Sequence, residues 1–232
     1  MANARLLEVD ATDELALADA AQLAALVLEA GGLVVLPTDT VYGLACRPDL
    51  AGATKAVFQA KRRPAGLSLP VLAAGEAVAW EVARPDERAR LLASRFWPGP
   101  LTMVLPRAPR SAGWTLGEAE RTVAVRVPSN PLARRVLQAA GPLAVTSANR
   151  SGQPPLSSLA SMVEALGDAV ELYLTEAGSA WDGGSTAAST VVDLTRPAAG
   201  VTREGPVSAR AIADALKAFD IPPERPSVNY GS

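Results

Sequence analysis

The sequence predicts an α/β protein built on an open sheet of mixed strand direction, and three observations carry that prediction. Apolar runs of strand length alternate with stretches whose apolar residues recur at helical spacing. Several strand-length runs follow one another with no helix between them, which a wholly parallel sheet would need. No segment repeats, so a solenoid is excluded and a layered α/β fold remains.

Taken in order, Thr12 or Asp13 can cap a helix whose apolar positions are Leu15, Leu23, Leu26 and Val27, and Gly31-Gly32 ends it. Leu33 to Leu36 then reads as a short strand buried on both faces. Ala53 to Arg62 forms a helix closed by Pro64, because the residue before a proline is pushed out of the helical region. Leu69 to Leu72 is a strand, Asp86 to Phe96 an amphipathic helix, and Leu101 to Leu105 a strand after the loop Trp97-Pro98-Gly99-Pro100. Arg107 to Glu120 reads as an exposed connection. Further strands are expected at Thr122 to Val127, Leu143 to Thr146, Ala169 to Leu174, Val191 to Leu194 and Val201 to Arg203. Helices are expected at Leu132 to Ala140, Leu159 to Leu166 and Ala209 to Phe219, and Pro222 to Ser232 has the composition of a tail.

The totals bound the function. With 232 residues the chain can bury one substantial core, and 49% hydrophobic with 20% charged residues is ordinary for a globular protein. No apolar run is long enough to span a membrane, and Arg5, Glu8 and Asp10 make the N-terminus unlike a signal peptide. Cys46 is the only cysteine, which excludes an internal disulfide and fits a reducing cytoplasm. There is no histidine, so a histidine-based triad and a histidine-ligated metal are both impossible. The net charge of −2 is not that of a polyelectrolyte binder, so any RNA contact would need a local patch.

Four stretches offer chemistry. The strand Leu33 to Leu36 empties into Pro37-Thr38-Asp39-Thr40, a cluster of hydroxyls and one carboxylate where a plain turn needs neither. In Thr122 to Val127, period-two alternation sends Val123, Val125 and Val127 to the core and sets Thr122, Ala124 and Arg126 on the other face. There Arg126 is either a solvated edge residue or a guanidinium placed to grip a carboxylate. Lys61-Arg62-Arg63 at a helix end is either simple C-terminal capping or a phosphate clamp. Leu143 to Pro155 carries Thr146, Ser147, Asn149 and Ser151, which are turn formers or a ligand loop at a strand end. Thr190 and Arg203 add a hydroxyl and a charge. With no nucleophile–base pair, Walker loop or dinucleotide fingerprint, the inventory suits a small zwitterion and a polyphosphate held by position and charge.

The blocks GGLVVLPTDTVYGLACRP, FQAKRRP, WPGPLTMVL, TVAVRVP, TSANRSGQP and STVVDLT, in that order, resemble the signatures of the YrdC-like family, the threonylcarbamoyl-AMP synthases. The likeness spans 11–210, leaving 211–232 as the end of the last helix and a flexible tail, and it implies the short form of the family. It implies a twisted open mixed sheet with flanking helices and a large concave cavity. The implied enzyme is a nucleotidyltransferase that makes threonylcarbamoyl-AMP and pyrophosphate from L-threonine, bicarbonate or CO2, and ATP. A separate threonylcarbamoyl transferase would then modify tRNA in the cytoplasm.

By position, the resemblance puts L-threonine at Thr38, Arg126, Thr146 and Thr190. It puts ATP at Lys61, Arg63, Thr122, Ser147, Asn149 and Arg203, with Lys61 and Arg63 also catalytic. No protein metal ligand is expected; Mg²⁺ would arrive on the phosphates of ATP. Tyr42 reads as a cavity wall and Gly43 as a backbone requirement. The chain departs from the pattern at Ala65-Gly66-Leu67-Ser68 and at Pro155, where relatives often carry a serine, so the adenine and ribose contacts are the least defined. The rival expectation is a paralogue that binds tRNA or double-stranded RNA without activating threonine.

Overall fold

The computed structural model describes residues 4–62, 64, 67–156, 158–178 and 187–219. The elements in chain order are β1 (Arg5–Val9), α1 (Glu14–Glu29), β2 (Val34–Leu36), β3 (Gly43–Cys46), α2 (Ala51–Ala60), β4 (Val71–Leu72), α3 (Glu76–Val82), α4 (Glu87–Phe96) and β5 (Leu101–Pro106). There follow β6 (Thr122–Arg126), α5 (Pro131–Ala140), β7 (Leu143–Ser147), α6 (Leu159–Leu166), β8 (Leu172–Glu176), β9 (Thr190–Asp193), β10 (Gly200–Arg203) and α7 (Ala209–Leu216). Short polar side chains start these helices, at Asp13 as expected. Asp13 accepts from the Leu15 and Ala16 amides at 2.9 and 3.3 Å, Asp86 from Ala89 at 2.9 Å, and Asn130 from Ala133 at 2.8 Å.

The ten strands form one sheet in the order β1-β8-β2-β3-β7-β4-β6-β5-β9-β10. Its direction is mixed: β1, β8 and β2 run parallel, while β2, β3, β7 and β4 are successively antiparallel. Beyond β4, the β4–β6 and β5–β9 pairs are parallel, and the β6–β5 and β9–β10 pairs are antiparallel.

Alternation of side chains divides the core in two. Leu33 and Val35 join one cluster with Val71, Met103, Val123 and Val125, under α2, α3, α4, α6 and α7. Val34 and Leu36 join the other, with Leu72, Leu143, Val145 and Leu172, under α1 and α5. The α1–α5 layer lies over the half of the sheet from β1 to β7. On that same face, the residues of β6, β5 and β9 that alternate away from the first cluster carry no helix.

Three elements were not expected. The first, β1, is an edge strand with only Val9 fully buried, so its alternation is faint. The second, β3, is four residues long and spends one on glycine, and α3 is a seven-residue helix between two loops. The eighth strand begins at Leu172, after a 3-10 turn over Gly167–Ala169. Arg107 to Glu120 is not an exposed connection. Arg107, Ser111 and Leu116 are buried, and the Arg107 guanidinium donates to the carbonyls of Thr122, Ser111, Trp114 and Ala119 at 2.7–3.0 Å. One arginine thus organises the loop through its backbone, a pairing that periodicity cannot reveal. The expected tail, Pro222 to Ser232, lies outside the described residues.

Candidate functional site

The uncovered half of the sheet face is the floor of a cavity of about 1110 Å³, counted out to its open mouth. Thr102 and Val104 of β5, Ala124 and Arg126 of β6, and Val191 of β9 line it, all alternating away from the apolar cluster beneath. The alternation read in β6 is observed: Val123, Val125 and Val127 are buried on the far side, and Ala124 leaves the floor low beside Arg126.

One wall is the turn that leaves β2. Thr38, Thr40 and Val41 line the cavity, and all three are buried. The Thr38 hydroxyl donates to the Val41 carbonyl at 2.5 Å and accepts from the Thr40 amide at 3.2 Å, which tightens the turn. Gly43 follows; a Cβ there would sit 2.4 Å from Val145 Cγ1, so a side chain would require Val145 to shift. Tyr42 does not line the cavity. It belongs to the apolar cluster, where burial, and secondarily Glu176, push its phenol up to about 12.

Arg126, 5% exposed, is held from three directions. Its Nε donates to the Gly99 carbonyl at 3.0 Å and its Nη1 to Thr40 Oγ1 at 2.8 Å, while Nη2 pairs with Asp39 Oδ1 at 2.7 Å. Desolvation lowers the pKa of this guanidinium and the Asp39 charge opposes the shift.

The facing wall carries Ala188, Ser189 and Arg203. Ser189 Oγ lies 2.8 Å from Thr102 Oγ1, and Arg203 donates to the Ser189 carbonyl at 2.9 Å and to its hydroxyl at 3.2 Å. A bulge sets Arg203 there. Val201 pairs with Val192 but Arg203 pairs with Val191, so Thr202 is an extra residue and Arg203 shares the cavity face of Val191. Were the strand regular, with Thr202 opposite Val191, Arg203 would share the face of Val201 and point towards the apolar cluster. Desolvation lowers the Arg203 pKa, and repulsion from Arg126 adds to it, so the two cations feel each other across the cavity.

The remaining sequence-predicted residues divide. Thr146, Ser147 and Asn149 line the cavity with Thr38, Arg126 and Arg203. Lys61 sits behind this wall, 1% exposed, and its ammonium donates to the carbonyls of Ser147 and, at 2.5 Å, Asn149. It therefore shapes the loop that offers Ser147 and Asn149 and does not line the cavity itself. Asn149 donates to the carbonyls of Arg150 and Gln153 at 2.9 and 2.5 Å, leaving a buried Oδ1 without a partner. Thr122 lies at the start of β6, outside the lining. Arg63 lies outside the described residues.

Thr190 has another task. Fully buried, its hydroxyl donates to the Val207 carbonyl at 2.6 Å and accepts from the amides of Gly205 and Val207 at 2.9 and 3.1 Å. With three partners it is spent on holding the 205–207 loop, and its neighbour Ser189 is the hydroxyl that lines the cavity. Sequence reading missed Ser189, Thr102 and Thr40 as lining hydroxyls. The alternation in β9 and β5 was the available signal for Thr102, whereas Ser189 precedes its strand and gave none.

Among the described residues no three His, Cys, Asp or Glu side chains converge to hold a metal, and no helix is long and apolar enough to cross a membrane. The cavity instead offers two guanidinium groups against one carboxylate, hydroxyls on both walls and an apolar lining. That is a receptacle for anions attached to apolar bodies.

The family model Sua5_yciO_yrdC, described as "Telomere recombination", matches residues 26–205. A Mycobacterium tuberculosis protein, provisionally named a threonylcarbamoyl-AMP synthase, is 40% identical over 190 residues, covering 82% of this chain and 85% of its own. The threonylcarbamoyl-AMP synthase of Bacillus subtilis is 41% identical over 150 residues, 63% of this chain and 43% of that one. The crystal structure of Pyrococcus abyssi Sua5 complexed with L-threonine superposes with a TM-score of 0.78 at 32% identity. The match covers 95% of this chain and 62% of that longer protein.

Proposed function

This chain belongs to the Sua5/YciO/YrdC family, and from that premise we propose that it is an enzyme that forms threonylcarbamoyl-AMP from L-threonine, bicarbonate or CO2, and ATP. The observation that carries the reading is the convergence of Arg126 and Arg203 on one cavity whose walls present Thr38, Thr40, Thr146, Ser147 and Ser189. The amino acid lies on the Arg126 side, its carboxylate against the guanidinium and its hydroxyl and amine among Thr38, Thr146 and Ser189. The nucleotide lies towards Arg203, Ser147 and Asn149, with Lys61 fixing that loop from behind and Thr122 at its margin.

The chemistry balances without a protein nucleophile. The neutral amine of threonine adds to CO2, giving a carbamate and a proton released to solvent. A carbamate oxygen then attacks the α-phosphorus of ATP, the bond from that phosphorus to the α,β-bridging oxygen breaks, and pyrophosphate leaves. Arg203 and Arg126 supply positive charge where phosphate and carboxylate oxygens lie, and the walls hold the reactants in line. Mg²⁺ would enter bound to the phosphates of ATP and would neutralise their charge there. The threonine hydroxyl is read by a hydrogen bond, so an analogue lacking it loses about 1–3 kcal/mol. The nucleotide substrate and the buried lone thiol of Cys46 suit a reducing cytoplasm, and the product's mixed anhydride suits a transferase acting on tRNA.

Pyrophosphate release tests the proposal. It should require ATP, L-threonine and bicarbonate together, with serine a weaker substrate and 2-aminobutyrate weaker by roughly tenfold or more, as an unpaired buried partner implies. Release that ignores threonine would overturn it.

A further inference from the structure

Asp39 stands beside the Arg126 guanidinium, and no step of the reaction above uses it. Its Oδ1 lies 2.7 Å from Arg126 Nη2 and also accepts from the Ser129 amide at 3.0 Å. The carboxylate is thus pinned to the backbone just before α5, and it pins in turn a guanidinium already bound to Gly99 and Thr40. Three anchors from two segments, Gly99 on one and Asp39 with Thr40 on the other, fix one plane.

The pair is also incompletely used. Arg126 Nη2 is ion-paired but makes no aligned hydrogen bond, and Asp39 Oδ2 is buried with no partner. A salt bridge that served only stability would be expected to saturate its donors and acceptors, since a buried pair otherwise returns little against its desolvation. This one supplies charge and orientation and leaves bonding capacity unspent.

We propose that Asp39 is a positioning residue for amino-acid capture: it keeps the buried Arg126 guanidinium compensated and turned to the plane on which the substrate carboxylate docks. The inference rests on the reading of this cavity as an amino-acid site. It assigns Asp39 no contact with substrate.

The test compares Asp39→Asn, the same shape without the charge and still able to accept from Ser129, with Asp39→Glu, the same charge one methylene further out. Calorimetric titration should show L-threonine affinity down at least tenfold in the Asn variant and less in the Glu variant, with ATP affinity changed less than twofold in both. Parallel loss of both affinities together with a lower Tm would mean a merely structural salt bridge, and unchanged threonine affinity would overturn the proposal directly. Should the Asn variant not fold, the Glu variant carries the same comparison with a severalfold expected loss. A ligand-free readout separates this inference from the function beneath it. The Arg126 Nε–H resonance of ¹⁵N-labelled protein should exchange slowly in the wild type and measurably faster in the Asn or Glu variant; equal rates refute positioning. If the wild type binds no threonine, the amino-acid reading fails, while the resonance still decides what Asp39 does to Arg126.

Discussion

Two adjacent residues, Ser189 and Thr190, should fail in opposite ways when their hydroxyls are removed. In Thr190→Val the shape is kept, but the Val207 carbonyl and the Gly205 and Val207 amides lose their common partner in a site where Thr190 is 0% exposed. At about 1 kcal/mol for each hydrogen bond lost, and more where a buried group stays unpaired, the cost is roughly 3–5 kcal/mol. That is a large share of the 5–15 kcal/mol typical of a whole domain. In Ser189→Ala, the Oγ gives up Thr102 at 2.8 Å and a long 3.2 Å contact from Arg203, both groups lining the open cavity where water can replace it. Its stability cost is about 1 kcal/mol or less, while threonine-dependent pyrophosphate release should fall about tenfold, one charge-assisted or buried bond's worth. Urea unfolding followed by tryptophan fluorescence, beside the pyrophosphate assay, measures both. A Thr190→Val change below about 1 kcal/mol, or a Ser189→Ala variant that unfolds as early as Thr190→Val yet turns over normally, would refute the division of labour.

Three further outcomes are expected. Lys61→Met should lose most turnover and also lower the urea midpoint, because the ammonium ties down the Ser147 and Asn149 carbonyls; loss of activity at full stability would mean instead that Lys61 reaches substrate. Burial pushes the Cys46 thiol up to about 12, so native protein at pH 8 should resist iodoacetamide and react only once unfolded, as mass spectrometry would show. Burial likewise raises Tyr42 and Tyr173 to about 12. An acid whose folded pKa is raised favours the fold while protonated, so stability should hold below the ordinary tyrosine pKa of about 10 and fall between pH 10 and 12. Tyrosinate absorbance that rises for both groups near pH 10 in folded protein would contradict this.

What the sequence made legible was whatever local periodicity encodes. The two-faced burial of β2, the alternation that turns Arg126 away from the core, and the cap at Asp13 all follow from spacing and side-chain chemistry within a few residues. Long-range choices were not legible. That Lys61 would spend its charge on carbonyls 86 and 88 residues away depends on a packing no window contains. Thr190 and Ser189 differ by one position and exchange roles because only the fold says which hydroxyl a loop claims. Asp39 was visible as an oddity, a carboxylate in a turn of hydroxyls, but its partner lies in β6.

The bulge at Thr202 gives a single residue an arithmetic role. Pairing Thr202 instead of Arg203 with Val191, as a regular strand would, leaves every residue present and still turns Arg203 through half a strand period, from the cavity into aliphatic packing. The electrostatic character of that wall is therefore written in strand register as well as in amino-acid type. Two relatives with the same arginine, one bulged here and one in regular register, would carry the same letter and present different surfaces to a phosphate.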